Sequence, residues 1–154
     1  MIRRAENKDV ERIIELLLQI DLIHHEGRPD LFKIGKKYAE EELFSIIKSE
    51  NTPVLVCVDE NDRVLGYAIC IYKRLKNDTL LTDIKTLYLD DLCVDEACRG
   101  KGIGKALYNE VIKLAKESGC YNVTLNVWAF NEKAYKFYKK LGFNEQKIGM
   151  EIIL

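Results

Sequence analysis

Three groups of residues in the second half of the chain have types and spacings suited to chemistry. Glycines alternate with other residues in the basic stretch Arg99–Lys105, "RGKGIGK", where a strand pattern gives way to a helix pattern. Two carboxylates, Asp90 and Asp91, lie in the strand before it, and Tyr138 lies in a later helix. A helix N-terminus carries unpaired N–H groups, and glycines let its backbone close on a phosphate. The glycine pattern predicts an anion site, or else a tight turn without a ligand.

Two common phosphate motifs do not fit this stretch. The Rossmann pattern G-x-G-x-x-G fails because Lys105 stands at its third glycine. The Walker pattern fails because Arg99 stands at its first glycine and Ala106 replaces the Ser or Thr that would hold magnesium. An unrelated nucleotide-binding protein is therefore disfavoured.

Two motifs together carry a resemblance to a known family. "RGKGIG" resembles R/Q-x-x-G-x-G/A, the pyrophosphate-binding motif of the GNAT superfamily of acyl-CoA-dependent N-acetyltransferases. Asn131–Phe143, "NEKAYKFYKKLGF", is similar to the superfamily signature N-x-x-A-x-x-F-Y-x-x-x-G-F. With the strand and helix patterns around them, the two motifs cover Leu89–Phe143, about a third of the chain.

The resemblance implies a set of acetyl-CoA contacts. Backbone groups around Cys93 would pair with the pantetheine arm, and backbone N–H groups of the glycine turn would hold the pyrophosphate. Asn131 would lie beside the cofactor, although it is equally a plain helix N-cap. The implied cofactor-binding residues are Leu92, Cys93, Val94, Arg99, Gly100, Lys101, Gly102, Ile103, Gly104, Lys105, Asn131, Ala134 and Tyr138.

The resemblance also implies the reaction: direct transfer of an acetyl group from acetyl-CoA to a primary amine in a ternary complex. An alkyl ammonium has a pKa of about 10.4, so a base or a water chain must remove a proton. No metal is required. Acidic residues such as Asp90, Asp91, Glu26 and Asp30 suit a small cationic amine or a protein amine. The alternative is a non-catalytic acyl-CoA-binding module, which would not need proton-handling residues.

Asp90 and Asp91 are the candidate bases. Strand alternation predicts Asp90 on one face with Leu92 and Val94, and Asp91 on the other face with Cys93. We therefore expect Asp90 to matter more for the pH dependence of turnover, directly or through a water. The structural alternative is a carboxylate that pairs with a lysine or caps a loop.

Tyr138 has two interpretations. It follows Ala134 and Phe137 at helical spacing, which is typical of a core stripe. The resemblance instead implies a hydroxyl that approaches the cofactor sulfur and donates to the leaving thiolate. A phenol with a pKa of about 10 is protonated at neutral pH and can act in this way.

The element order predicted from periodicity is β-α-α-β-β-β-α-β-α-β, an α/β (α+β) domain over residues 1–154 with a mixed, mostly antiparallel sheet flanked by helices. A helix capped by Asn7 follows the first strand, and a polar turn at Asp59–Arg63 joins a hairpin. A second helix continues the stripe from Tyr38, and the fourth is capped by Asn131. The segment "GMEIIL" is predicted as the last strand.

Composition narrows the class of protein. The net charge of −1 gives no reason to expect nucleic acid or a membrane surface as a partner. The five cysteines form no C-x-x-C pair, and the N-terminus lacks the apolar stretch of a signal peptide, so we expect free thiols in the cytoplasm. His24 and His25 are adjacent on a helix and point to different sides, which argues against a metal site. The resemblance implies a possible homodimer.

Overall fold

A computed structural model describes all 154 residues. Nine helices and strands follow one another along the chain, with short 3₁₀ turns at Asn7–Asp9 and Glu96–Cys98. They are β1 (Ile2–Arg4), α1 (Val10–Gly27), α2 (Glu40–Lys48), β2 (Val54–Val58), β3 (Val64–Arg74), β4 (Lys85–Val94), α3 (Ile103–Glu117), β5 (Asn122–Thr124) and α4 (Glu132–Lys140). No helix is long and apolar enough to span a lipid bilayer.

The five strands form one sheet in the order β1-β2-β3-β4-β5. Neighbours in the first four strands are antiparallel, whereas β4 and β5 are parallel. The connection from β4 to β5 runs through α3, because parallel neighbours need a crossover. The predicted fold class, a mixed and mostly antiparallel sheet flanked by helices, is confirmed.

Both faces of the sheet are buried, which gives two cores. On one face, side chains of α1 and α2 pack on Tyr67 and Ile69 of β3. On the other face, Leu107 and Val111 of α3 pack on Leu87 and Leu89 of β4. Burial on both faces explains why β2 reads as the uninterrupted apolar run "VLVCV" rather than as an alternating pattern.

The turns agree with the sequence except at two helix starts. Asp59 accepts hydrogen bonds from the backbone N–H groups of Asn61 and Arg63, which closes the predicted hairpin turn. The cap predicted at Asn7 is wrong, because Asn7 begins a 3₁₀ turn in which the Asp9 carboxylate accepts from the N–H of Glu6. Tyr38 lies before α2, not within it.

The last predicted strand does not form. β5 ends at Thr124, and residues 144–154, which include "GMEIIL", have neither helix nor strand structure. The side chains of Met150 and Ile152 are 93% and 84% exposed. The segment is apolar enough for a strand, but a strand also needs a neighbour with which to exchange hydrogen bonds, and no strand lies beside it.

Candidate active site

The glycine turn has the backbone shape that the motif predicted. Gly100 and Gly102 both have φ of +79°, a left-handed conformation that costs about 1–2 kcal/mol for other residues. A Cβ built on either glycine would meet no atom within 4 Å. The glycines are therefore required by the backbone turn, and the space in front of them is open.

The same turn exposes a row of unpaired donors. The N–H groups of Gly100–Lys105 have no hydrogen-bond acceptor within the chain, and the first paired amide after them is that of Ala106, which donates to the carbonyl of Gly102. Arg99 differs, because its N–H donates to the carbonyl of Glu96 at 3.4 Å and its Nε to the carbonyl of Val94 at 3.3 Å. Six consecutive amides are free to bind an anion.

Helix α1 holds the start of this turn in place. Asp95 follows β4 and accepts hydrogen bonds from the Arg12 guanidinium and, at 3.4 Å, from Nε2 of Gln19. Oε1 of Gln19 in turn accepts from the N–H of Glu96 at 3.1 Å. Sequence analysis missed these positioning residues, because the partners lie more than 70 residues apart and no local pattern links them.

Strand β4 has an open edge leading to the turn. Its ladder with β5 pairs only Thr86–Tyr88 with Asn122–Thr124, so Leu89–Val94 has no strand on that side. The predicted contacts of Leu92, Cys93 and Val94 with a cofactor would use this edge. The Cys93 side chain takes no part, because its thiol is buried and lies 3.5 Å from the carbonyl of Leu16.

A β-bulge at Asp90 changes the direction of the two carboxylates. Ile69 pairs with Asp91 and Cys70 pairs with Leu89, so Asp90 is an extra residue in β4. Beyond the bulge the alternation is reversed: Leu89 packs with α3, whereas Cys93 packs with α1. The predicted separation of the carboxylates onto opposite faces is therefore wrong. Both point to the α1–α2 face, and Asp90 does not share a face with Leu92.

Asp90 is tied to the segment before α2. Its Oδ2 accepts hydrogen bonds from the Tyr38 hydroxyl at 2.5 Å and from the Lys37 ammonium at 2.8 Å. Only 12% of its side chain is exposed. The N–H of Lys37 is held by Asp21 on α1 at 2.6 Å. The lysine pairing proposed as the structural alternative for Asp90 is present.

Asp91 is buried, and its carboxylate is suited to accept a proton near neutral pH. Its Oδ2 accepts a hydrogen bond from the hydroxyl of Tyr67 at 3.0 Å, and both residues are buried. Burial raises the pKa of Asp91 to about 6, although Lys37 and the Tyr67 hydroxyl oppose that shift. Sequence analysis missed Tyr67. The available signal was a tyrosine inside an apolar strand, since buried tyrosines usually have a polar partner.

Tyr138 packs on the α3 face of the sheet, opposite the face to which Asp90 and Asp91 point. Its ring packs edge-on against Phe137 and Phe143 and contacts the α3-side core, as the stripe predicted. Its hydroxyl makes no hydrogen bond within the chain. Burial raises the pKa of the phenol, and the negative charge of Asp91 raises it further. The hydroxyl therefore stays protonated and remains free to donate.

The helix that carries Tyr138 begins at an N-cap. The side-chain Oδ1 of Asn131 accepts from the N–H of Ala134 at 3.2 Å, so the predicted cap is confirmed. A cofactor contact by either residue stays a prediction.

Aromatic rings cluster between the end of α1 and the segment after β5. His24 stacks near Phe32, whose ring meets Trp128 edge-on at 5.0 Å between centroids. Trp128 stacks on Phe130 and is 43% exposed, so it presents a ring to solvent. No group of three or more His, Cys, Asp or Glu side chains is arranged to hold a metal ion.

The mixed sheet and the glycine-rich turn with free amides have the arrangement that the two motifs predicted for the GNAT family. Residues 19–143 match the model of the acetyltransferase (GNAT) family, and the chain belongs to that family.

Individual relatives agree with this assignment. An uncharacterised N-acetyltransferase of Methanocaldococcus jannaschii is 29% identical over 147 residues, which cover 96% of this chain and 62% of the relative. The chain thus spans less than two thirds of the length of that relative. A thialysine N-epsilon-acetyltransferase of Bos taurus is 27% identical, with 92% of this chain and 82% of the relative covered.

A solved structure matches the whole fold. The crystal structure of a mutant BH1408 protein from Bacillus halodurans superposes with a TM-score of 0.96 and 32% identity, over 100% of this chain and 99% of the other.

Proposed function

We propose that the chain transfers an acetyl group from acetyl-CoA to a primary amine of a small cationic molecule or of a protein. The transfer is direct, in a ternary complex. The observation that carries this proposal is the row of six unpaired amides at Gly100–Lys105, beside the open edge of β4. Membership of the acetyltransferase family supports it.

The open edge and the turn fit the two ends of the cofactor. The amides of the turn would bind the pyrophosphate, and Lys101 and Lys105 are exposed there and add positive charge. The backbone of Leu92–Val94 would pair with the amides of the pantetheine arm as an added strand does. Acetyl-CoA supplies the activated thioester. Asn131, Ala134 and Ile103 are assigned to the same site through the resemblance.

Asp91 is the proton acceptor in this proposal. A general base works best when its pKa lies near the operating pH, and a pKa of about 6 meets that condition. The bulge aims its carboxylate to the α1–α2 face, and the Tyr67 hydroxyl fixes one of its oxygens at 3.0 Å. Because the side chain is buried, we expect a water to relay the proton from the amine.

Asp90 attracts the cationic acceptor. Its carboxylate accepts a hydrogen bond from the Lys37 ammonium at 2.8 Å, and this contact supports a role in binding an alkyl ammonium. An acceptor amine of the same chemistry would displace Lys37. The relative that acts on thialysine supports an acceptor resembling a lysine side chain. The exposed Trp128 ring would border the aliphatic part of that acceptor.

Tyr138 donates a proton to the sulfur as it departs. Its hydroxyl has no protein acceptor, and its raised pKa keeps the proton in place until a strong acceptor develops. The ring contacts with Phe137 and Phe143 hold it in one position.

A homodimer is part of the proposal through the resemblance.

The proposal is tested by titrating the purified chain with CoA in a calorimeter and then assaying acetyl-CoA turnover on an amine panel. The panel contains lysine-like amino acids, polyamines, aminoglycosides and a lysine peptide. We expect CoA binding and turnover of at least one cationic amine. CoA binding without turnover of any amine would favour the non-catalytic module, and absence of CoA binding would refute both.

A further inference from the structure

We propose that Lys37 is itself an acceptor: the chain transfers an acetyl group from its bound acetyl-CoA to the side-chain nitrogen of this lysine. The inference rests on the proposed function and extends it to a modification site within the chain. Lys37 is then the first amine that the chain acetylates, before a soluble amine reaches the cleft.

The ammonium of Lys37 lies where the proposed function places the acceptor amine. Its Nζ donates to Oδ2 of Asp90 at 2.8 Å and lies 5.3 Å from the centroid of the Tyr38 ring. Carboxylates and aromatic faces are both groups that bind an alkyl ammonium in proteins. No other lysine of the chain pairs with Asp90 or Asp91.

Backbone and side-chain contacts fix Lys37 in this position. Its backbone N–H donates to Oδ2 of Asp21 on α1 at 2.6 Å. The hydroxyl of the next residue, Tyr38, donates at 2.5 Å to the same Asp90 oxygen that holds the lysine. The Lys37 side chain is nevertheless 38% exposed, so the lysine is anchored and still accessible to a cosubstrate.

The proposed base lies close to the same nitrogen. Asp90 and Asp91 point to one face of the sheet because of the bulge, and the charge of Lys37 opposes the rise in the pKa of buried Asp91. The lysine, the base and the open edge of β4 are therefore neighbours within one chain. Reactants held together in a productive geometry behave as if present at effective molarities of about 10⁵ M or more.

The step is the same transfer that a soluble amine would undergo. The Lys37 ammonium gives one proton to Asp91 through a water, and its nitrogen bonds to the thioester carbonyl carbon. The carbon–sulfur bond breaks, and its electron pair stays on the sulfur, which takes a proton from Tyr138. The nitrogen loses a second proton, which replaces through solvent the one that Tyr138 gave. The products are an amide at Lys37, free CoA and protonated Asp91.

Acetylation changes the charge that occupies the cleft. An acetylated lysine is neutral, so its ion pair with Asp90 is lost and the carboxylate becomes free for a soluble ammonium. We therefore expect each chain to acetylate itself once and then to consume no more acetyl-CoA until an amine is added. The alternative is an ion pair that only ties the segment before α2 to β4, in which case Lys37 stays unmodified.

The test is to incubate the purified chain with acetyl-CoA alone and to locate acetylated lysines by peptide mass spectrometry. We expect a single acetyl group per chain, at Lys37, and a rate per chain that does not change with protein concentration. Lys37→Arg keeps a cation beside Asp90 and should abolish the modification. Lys36→Arg is the matched control, because Lys36 is adjacent and exposed, and it should leave acetylation of Lys37 unchanged.

Asp91→Asn should slow acetylation of Lys37 by about 10²-fold or more, since it lacks the proposed base. Acetylation spread over exposed lysines such as Lys36, at a rate that Asp91→Asn does not change, would be an uncatalysed reaction and would overturn the proposal. A rate per chain that rises with protein concentration would mean transfer between chains, which overturns it too. Turnover of a panel amine with Lys37 unmodified would overturn this inference and leave the proposed function intact, whereas neither reaction would overturn both.

Discussion

A bulge inside β4 and the glycine turn that follows β4 carry the two halves of the proposed site, and they are built differently. The turn at Gly100–Lys105 is shaped by its own backbone, with two left-handed glycines and six amides that have no acceptor within the chain. The bulge at Asp90–Asp91 is shaped by contacts with distant elements. A tyrosine from another segment holds each carboxylate there, Tyr38 on Asp90 and Tyr67 on Asp91.

The shape of the anion site therefore depends on the turn, whereas the proton affinity of the carboxylates depends on the bulge. A side chain added at the turn changes the space in front of the amides and leaves every titrating group in place. A side chain changed at the bulge alters the proton affinity of the carboxylates and leaves the shape of the glycine turn unchanged. Substitutions in the turn and in the bulge should therefore affect different kinetic quantities.

Asp91→Asn should produce the largest effect, because it deletes the proposed base. We expect turnover at neutral pH to fall by about 10²–10⁴-fold. The wild-type rate should be lost as the pH falls through about 6, where Asp91 takes up a proton, and the variant should lack this acidic limb. The measurement is a pH profile of kcat/KM.

Asp90→Asn is the matched control for that substitution. It should mainly raise KM for the amine and should keep the acidic limb. An unchanged limb in Asp91→Asn, or its disappearance in Asp90→Asn, would reverse the assignment of the two carboxylates.

Tyr138→Phe should lower kcat by roughly 10–10³-fold with little change in acetyl-CoA affinity, because only a transition-state contact is lost. Tyr108→Phe is the control: its ring also packs on Phe143, but its hydroxyl donates to the carbonyl of Leu141. Steady-state kinetics of both variants test the proposal. Values of kcat within about twofold of wild type for Tyr138→Phe would leave the tyrosine a core residue only.

Gly102→Val should weaken CoA binding by about tenfold or more, because the branched side chain fills the space before the amides. The left-handed backbone also makes this substitution costly for stability, by about 1–2 kcal/mol. Gly119→Val carries the same strain, with φ of +69° and open space around it, at the far end of α3. Calorimetry should show normal CoA affinity for Gly119→Val, and equal losses in both would attribute the effect to strain.

Tyr67→Phe should give the smallest change. It removes the hydrogen bond that stabilises ionised Asp91, so the pKa of Asp91 should rise. We expect the acidic limb of the pH profile to move upward by less than about one pH unit, with kcat at high pH nearly unchanged. A limb that stays in place or moves downward would contradict the coupling between the two residues.

The sequence was most informative where structure is local. The glycine turn, the hairpin at Asp59–Arg63 and the Asn131 cap each depend on a few neighbouring residues, and each was predicted. The element order up to α4 also followed from the sequence, because short apolar runs mark the strands and helical spacing marks the helices.

The bulge, the partners of the two carboxylates and the conformation of the C-terminal tail, residues 144–154, depend on long-range contacts that no local sequence pattern shows. A bulge moves a side chain to the other face of a strand, and no local pattern in "LDDLCV" shows which residue is the extra one. The partners of Asp90 and Asp91 lie 53 and 24 residues away at Lys37 and Tyr67. The C-terminal tail was wrongly predicted as a strand for a related reason, since its apolar residues do not show whether another strand lies beside it.

Burial of Asp91 lowers the stability of the fold at the pH at which the proposed base is active. The ordinary pKa of an aspartate is 3.8, whereas that of folded Asp91 is about 6. Between these values the folded chain binds the proton more tightly than the unfolded chain. The free energy of unfolding therefore falls as the pH rises, by about 3 kcal/mol at neutral pH. In Asp91→Asn this loss is absent, so the inactive variant should outlast the wild type on heating at pH 7.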